Sequence, residues 1–305
     1  MVVGSGTMGH SIAQTYAQAG YEIDLVDLDK NRLEHALEMM KSNLETLADS
    51  DRIDKNSIPS ILDRIYPNTN IESVAGNADL IIEAINEQRD LKARLFMYLD
   101  NICKEDAIIA SNTSGINIFN IAKIKNPRRL VIQHWFAPPH IIPLVEIVPG
   151  RKTSSETIDI SVAVLKKIGK IPVVLKKFIN SFIVNKIQNA LTPVVYELLM
   201  RNVATVEDID LAIKASLGIR LPIVGLIQTQ DFTGLDLVAD IAKSLGKEPP
   251  NLIKDKVEQG NLGAKTGKGF YDYGGRTETE ITKKRDGLYL KNLENLEKMG
   301  AFNPI

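Results

Sequence analysis

Two residues of this chain have the types and spacing of a proton-transfer pair. His134 closes the apolar run Leu130-Val131-Ile132 and precedes Trp135-Phe136-Ala137-Pro138-Pro139, and Glu146 sits twelve residues later inside a second run, Leu144-Val145-Glu146-Ile147-Val148. A carboxylate inside such a run is costly to bury unless it is paired. Imidazole exchanges a proton near neutral pH, and a carboxylate behind it fixes its tautomer and stabilises its charged form. The competing reading, a structural histidine with an edge-strand glutamate facing water, has the same spacing, and on the residues alone both stay open. His10, His35 and His140 show no comparable arrangement, and no His, Cys and acid cluster has metal-ligand spacing.

A second constellation is built for phosphate. Gly4-x-Gly6-x-x-Gly9 follows the strand-like pair Val2-Val3 directly and opens a helical pattern. Such a loop lets backbone approach a pyrophosphate, whose charge the helix N-terminus stabilises. The bare string reads equally well as a glycine-rich turn. Asp27 separates the two readings: it closes the next strand eighteen residues after Gly9, near the roughly 20-residue spacing of a carboxylate that accepts from a ribose hydroxyl. The same charge repels a 2′-phosphate, so NAD is expected over NADP, although Arg32 lies nearby and softens the preference. Gly4, Gly6, Thr7, Met8, Gly9 and Asp27 are thus the candidate cofactor residues. Strands in such folds usually run about five or six residues, yet only Met1-Val2-Val3 precede Gly4. Either the first strand is short or the natural start lies upstream. Gly263-Ala264-Lys265-Thr266-Gly267-Lys268-Gly269 resembles a Walker-type loop but fails its spacing, and no strand precedes it.

The elements that must position these residues alternate. A helix pattern through Ile12, Tyr16 and Ala19 stops at Gly20, and Ile23, Leu25 and Asp27 make a second strand. Lys30 to Ile65 reads as two helices, with Leu33, Leu37, Met40, Leu44 and Leu47 at helical spacing. Further strands are expected at Leu80–Ala84, Ala107–Ser111, Leu130–His134, Leu144–Val148 and Ile171–Leu175, separated in part by helices at about Arg89–Ile102, Ile116–Ala122 and Ser154–Ile168. Short strands alternating with helices predict a parallel sheet covered by helices. After about Phe178 the spacing becomes mainly helical. The expected architecture is α/β: a Rossmann-type dinucleotide-binding domain over residues 1–178, then an all-α domain over 179–305, with a charged C-terminal extension from about 274.

Composition bounds the rest. The 305 residues carry a net formal charge of −1, with 44% hydrophobic and 25% charged residues. That balance gives no general footprint for nucleic acid or an anionic membrane. One cysteine, Cys103, excludes an intrachain disulfide framework and fits a reducing cytosol. With no apolar stretch of membrane-spanning length and no signal-peptide pattern, a cytoplasmic protein is expected.

The strings GSGTMG (Gly4–Gly9), DLIIEAINE (Asp79–Glu87), SNTSG (Ser111–Gly115), HWFAPP (His134–Pro139), PLVEIVPG (Pro143–Gly150), FIVNK (Phe182–Lys186) and LGAKTGKGFYDY (Leu262–Tyr273) together resemble the 3-hydroxyacyl-CoA dehydrogenase family, from Met1 to about Tyr273. The His-Trp-Phe-x-Pro-Pro-His form looks most like the branch that includes lambda-crystallin-like gulonate dehydrogenases and carnitine dehydrogenases. By that resemblance His134 is the general acid/base and Glu146 its paired carboxylate. Ser114 lies beside substrate and nicotinamide, and Asn185 helps hold the reacting oxygen. Asp27 binds ribose, Glu87 and Lys92 line the NAD site, and Lys265 reaches back to the cofactor. The resemblance also implies a homodimer formed through the helical domain.

Three departures concern the substrate more than the chemistry. Ala137 stands where the family often has Asn, and Asn180-Ser181 replaces a Pro-Gly, which is expected to loosen the turn between domains. Asp49-Ser50-Asp51-Arg52 occupies a region where the family carries a Lys-Gly element near CoA. Lys41, Arg52, Lys55 and Arg64 remain as cations for a CoA phosphate. The expected function is NAD-dependent oxidation or reduction of a short-chain 3-hydroxyacyl-CoA. The alternatives are a dehydrogenase of a free 3-hydroxy acid such as gulonate or carnitine, and a non-catalytic NAD-binding protein, which has no need of a buried acid/base pair.

Overall fold

The computed structural model describes residues 1–304 and divides into two compact units, Met1–Ala190 and the residues from Leu191 onward. The first unit is built on one sheet. Its elements run β1 (Val2–Val3), α1 (Gly9–Gln18), β2 (Ile23–Val26), α2 (Lys30–Asp49), α3 (Ile58–Leu62), β3 (Ile65–Asn68), α4 (Glu72–Ala75), β4 (Leu80–Glu83), α5 (Arg89–Ile102), β5 (Ile108–Ser111), β6 (Leu130–Trp135), β7 (Leu144–Pro149), α6 (Ser155–Lys167) and β8 (Ile171–Val174). Helix α7 (Val184–Met200) begins in the first unit and ends in the second.

The sheet order is β3-β2-β1-β4-β5-β6-β7-β8. All neighbours pair in parallel except β6 and β7, which are antiparallel. Because β1 pairs with both β2 and β4, the chain reverses its direction of travel across the sheet beside β1. The crevice at the carboxyl end of such a reversal is where open α/β sheets take their ligands. Gly4 stands there.

Strand periodicity assigns the two faces. Val131 and Trp135 of β6 join Val145 and Ile147 of β7 in one apolar cluster, with Ile12 and Tyr16 of α1, Leu33, Met40 and Leu44 of α2, and Leu165 of α6. Leu130, Ile132 and Val148 join the other, with Phe96 and Leu99 of α5 and Phe182. His134 and Glu146 share the parity of this second group, so both face it.

Two expectations are corrected here. The helix expected at Ile116–Ala122 is only a 3-10 turn at Ile118–Asn120, whose apolar residues nonetheless pack on the second cluster. Lys30–Ile65 is not simply two helices: α2 is followed by a 3-10 turn at Lys55–Ser57 and five-residue α3, and Ile65 already belongs to β3. Strand β3 had no alternation to reveal it, since it contains Pro67 and buries only Ile65.

The second unit is helical, with α8 (Val206–Ala215), α9 (Leu217–Thr233, kinked at Gly225), α10 (Leu235–Ser244), α11 (Asn251–Glu258) and α12 (Glu278–Lys298). The Leu262–Tyr273 segment wraps a buried carboxylate: Asp231 accepts from the amides of Phe270 (2.8 Å) and Tyr271 (2.9 Å) and from the Tyr273 hydroxyl (3.1 Å). Gly263 and Gly269 lie against Asp231, where an added Cβ would fall 2.1 and 2.3 Å from its atoms. The tail forms α12, opened by a capping box between Thr277 and Glu280. No helix among the described residues is long and apolar enough to cross a membrane.

Candidate active site

The antiparallel β6–β7 register sets His134 opposite Glu146. Both are buried, at 3% and 1% exposure, and His134 Nδ1 lies 2.8 Å from Glu146 Oε2. The other oxygen, Oε1, accepts from the amides of Ile183 (2.9 Å) and Val184 (3.0 Å) at the start of α7. A carboxylate holding two backbone donors accepts from the ring as well, so in the neutral imidazole the proton sits on Nδ1 and the lone pair on Nε2. Asn185 Nδ2 stands 3.5 Å from that nitrogen. Phe136 and Phe182 flank the imidazole, with ring centroids 4.5 and 5.0 Å away.

The turn that delivers the two amides is tight. Ser181 and Phe182 take left-handed backbone angles, φ 63° and 51°, and Phe182 N donates to Ile179 O at 3.2 Å. Asn180-Ser181 therefore does not loosen this segment. The bonds to Glu146 and burial of the Phe182 ring offset the local strain.

At the carboxyl end of β1 the three glycines separate into two kinds. An added Cβ would lie 2.7 Å from Ala84 O at Gly4, whose φ is +101°, and 1.7 Å from Gly4 O at Gly9, so these two pack the loop against itself and β4. At Gly6 the same atom would meet nothing within 4 Å. Gly6 and Thr7 are exposed, Met8 is half-buried, and α1 begins at Gly9. No protein neighbour requires a glycine at position 6, where the backbone is open to approach. Asp27 directly follows β2, with Oδ2 accepting from Ser5 N (2.9 Å) and Ser5 Oγ (3.0 Å), which ties the loop to the carboxylate. This open glycine backbone beside an acid fits the pyrophosphate and ribose of a dinucleotide.

Glu87 and Lys92 belong to a buried network. Lys92, at 1% exposure, pairs with Glu83 at 2.5 Å and Glu87 at 3.2 Å. Glu87 also accepts from the Thr113 hydroxyl and from Ser114 N at 3.0 Å. Burial pushes the Glu87 carboxyl up, but the Thr113 hydroxyl, the Lys92 charge and the Ser114 amide outweigh it and hold the group below its ordinary value. Ser114 itself is exposed. Lys265 lies in the second unit with Nζ 2.6 Å from Asp236 Oδ2. Of the cations in the α2–α3 region, Lys41, Arg52 and Lys55 are exposed, whereas Arg64 is half-buried and directs Nη1 toward Ala17 O at 3.4 Å.

Sequence reading missed several participants. Glu83 ends the apolar run Leu80-Ile81-Ile82, the same signal that marked Glu146, and has no exposed surface. The Asn112 side chain accepts from Trp135 N at 2.9 Å, fastening the strand next to His134. The Ser11 hydroxyl pairs with His140 Nδ1 (2.8 Å) and accepts from His140 N (3.0 Å), joining α1 to the loop after His134. His10, buried behind the glycine loop, pairs through Nδ1 with Gly6 O at 2.8 Å. The partner of His10 lies four residues away, whereas that of His140 lies 129 residues away. Burial lowers both of their pKa values.

Residues 1–178 match the family model described as 3-hydroxyacyl-CoA dehydrogenase, NAD binding domain, and residues 182–273 match the one described as its C-terminal domain. The chain is 35% identical over 288 residues to a probable 3-hydroxybutyryl-CoA dehydrogenase of Bacillus subtilis, covering 91% of this chain and 98% of that protein. It is 31% identical over 280 residues to the 5-formyl-3-hydroxy-2-methylpyridine 4-carboxylate 5-dehydrogenase of Mesorhizobium japonicum, covering 89% of each. The crystal structure of a 3-hydroxyacyl-CoA dehydrogenase from Archaeoglobus fulgidus aligns with a TM-score of 0.81 at 29% identity, covering 97% of this chain and 98% of that chain.

Proposed function

The chain belongs to the 3-hydroxyacyl-CoA dehydrogenase family of NAD-dependent oxidoreductases acting on CH–OH, and we propose that it interconverts a short-chain 3-hydroxyacyl-CoA and its 3-keto form with His134 as the proton-transfer group. The observation that carries this reading is the Glu146 carboxylate, which accepts two backbone amides on Oε1 and faces His134 Nδ1 with Oε2, so that the neutral imidazole turns its Nε2 lone pair toward Asn185. Bound NAD supplies the hydride acceptor. In oxidation, Nε2 takes the proton of the substrate hydroxyl, and the imidazolium that forms is stabilised by Glu146 across the existing bond. The Asn185 amide and the exposed Ser114 hydroxyl position the reacting oxygen. Phe136 and Phe182 keep water from the ring. General base catalysis of this kind contributes about 10²–10⁴-fold, with the remainder from orientation and the cofactor's own chemistry.

On the cofactor side, Gly4, Gly6, Thr7, Met8 and Gly9 cradle the pyrophosphate and Asp27 holds the ribose, with Glu87 and Lys92 supporting the nicotinamide end. The exposed cations Lys41, Arg52 and Lys55 are available to a CoA phosphate. A second copy of the chain covers the helical region: α7 has no buried residue and exposes Ile187, Leu191 and Val194, an apolar row suited to a homodimer.

A second reading, a substrate without CoA, is favoured by the Mesorhizobium relative, whose name contains no acyl-CoA, and by the exposed acids Asp49 and Asp51. An NADH-linked assay comparing acetoacetyl-CoA and 3-hydroxybutyryl-CoA with gulonate and carnitine decides between them. The first reading expects the higher kcat/KM for the thioesters. A preference for a free hydroxy acid overturns it in favour of the second.

A further inference from the structure

Glu83 lies at the carboxyl end of β4 with no exposed surface, and protein donors account for its contacts: Lys92 Nζ and Ser111 Oγ, each at 2.5 Å, and the Ile85 amide at 2.9 Å. Burial pushes its carboxyl up, against the pull of Lys92, Ser111 and Ile85. Lys92 is equally enclosed. Its ammonium has three N–H donors and three acceptors around it: Glu83 Oε1, Glu87 Oε2 at 3.2 Å and Ile85 O at 3.3 Å. No donor remains for a ligand, so Lys92 acts on bound molecules only through what it holds in place.

What it holds is Glu87. The other oxygen of Glu87 takes the Thr113 hydroxyl and the Ser114 amide, and the Thr113 hydroxyl oxygen accepts from Gly115 N (3.3 Å) and Ile116 N (2.9 Å). A continuous path therefore runs from the centre of the sheet to the exposed Ser114: Ser111 and Glu83, then Lys92, then Glu87, then the Thr113–Ile116 turn. The Glu87 side chain is 43% exposed, and these bonds hold its two oxygens.

We propose that Glu83 is a positioning residue, which through Lys92 orients Glu87 and thereby locks the backbone of the Thr113–Ile116 turn that presents the Ser114 hydroxyl. The proposal rests on the reading of Ser114 as the residue that positions substrate. It assigns Lys92 an indirect role. With Glu83 removed, Lys92 keeps Glu87 as its sole charged partner, and the pull on Oε2 competes with the bonds at Oε1 that set the turn.

Removing one member of a buried ion pair leaves the other charge uncompensated and endangers the fold. The informative variant therefore removes both, Glu83→Gln with Lys92→Met, and a second variant, Thr113→Val, cuts the path at its far end without touching either charge. Hydrogen–deuterium exchange of the ligand-free protein at Ser114, Gly115 and Ile116 should speed up about tenfold or more in each folded variant, with the β6–β7 amides unchanged. Turnover of acetoacetyl-CoA with NADH should fall by about ten- to a hundredfold, more in kcat than in KM, as expected when a reacting group is displaced by about 1 Å. Wild-type exchange in the turn, or turnover within about threefold of wild type, in either folded variant overturns the proposal. His134→Gln is the control: if it is inactive while these variants match wild type, only the positioning role falls, whereas an active His134→Gln protein defeats the catalytic reading itself.

Discussion

Replacing Glu146 with glutamine alters one atom and should reverse the tautomer of His134. The carboxylate accepts three N–H groups, two from the backbone of Ile183 and Val184 on Oε1 and one from His134 Nδ1 on Oε2. An amide has one acceptor and one donor end. Turning its NH2 toward the start of α7 would set it against two backbone donors, and each buried N–H left unpaired costs about 1–3 kcal/mol, so about 2–6 kcal/mol in all. Turning it toward the imidazole leaves only the second amide hydrogen unpaired, about 1–3 kcal/mol, provided that the ring moves its proton from Nδ1 to Nε2 and accepts on Nδ1. The second arrangement wins. It also removes the lone pair that takes the substrate proton, and with it the charged partner of the imidazolium. Glu146→Gln should therefore fold, bind NADH within about threefold of wild type, and lose about 10²–10⁴-fold in kcat. Stopped-flow or steady-state NADH oxidation measures the loss, fluorescence titration measures the cofactor affinity, and nitrogen NMR of labelled histidine reads the tautomer. A folded variant with kcat within about threefold of wild type, or with Nδ1 still protonated, refutes the reasoning.

The glycine loop gives a paired test. Gly6→Ala meets no protein atom, so its melting temperature should match wild type within the roughly ±0.5 kcal/mol of an open surface site, while NADH Kd rises at least about tenfold. Gly9→Ala, whose Cβ would lie 1.7 Å from Gly4 O, should lower the melting temperature sharply in thermal unfolding; equal effects of the two on stability would contradict the division. Asp27→Ala should narrow the preference for NAD over NADP by about tenfold or more and weaken NAD as well, because the same oxygen holds Ser5; titration of both cofactors checks it, and an unchanged ratio rules out the ribose contact. Lys170, buried under the loop after His134, is pushed by burial from the ordinary 10.5 down to about 8. Between those values the unfolded chain holds this proton and the native chain does not, so the Lys170 contribution makes stability rise with pH through that window. Lys170→Met should lose that rise in urea midpoints taken from about pH 7 to about pH 10, and parallel curves for the two proteins would disprove it.

The sequence by itself determined the features that are local in origin. The glycine loop declared itself because Gly4, Gly6 and Gly9 lie on one turn, and Asp27 because a strand of fixed rise separates it from α1. The apolar runs around His134 and Glu146 marked two strands, and two strands with acid and base at matching depth are enough to suggest a pair. Strand β3 stayed hidden because Pro67 and Tyr66 gave it no alternation, and the Ile116–Ala122 helix was overread because the three-residue spacing of Ile116, Phe119 and Ala122 serves equally to pack a 3-10 turn on the apolar cluster. Only the tertiary structure decided which oxygen of Glu146 meets the amides 37 and 38 residues away, and hence which imidazole nitrogen is free. It alone enclosed Lys92 between Glu83 and Glu87, and it alone distinguished Gly6, open to a ligand, from Gly4 and Gly9, closed by the protein. The reason is physical: periodicity reports the direction of a side chain from its own backbone, whereas hydrogen-bond partners and free space are set by whatever chain segments packing brings alongside.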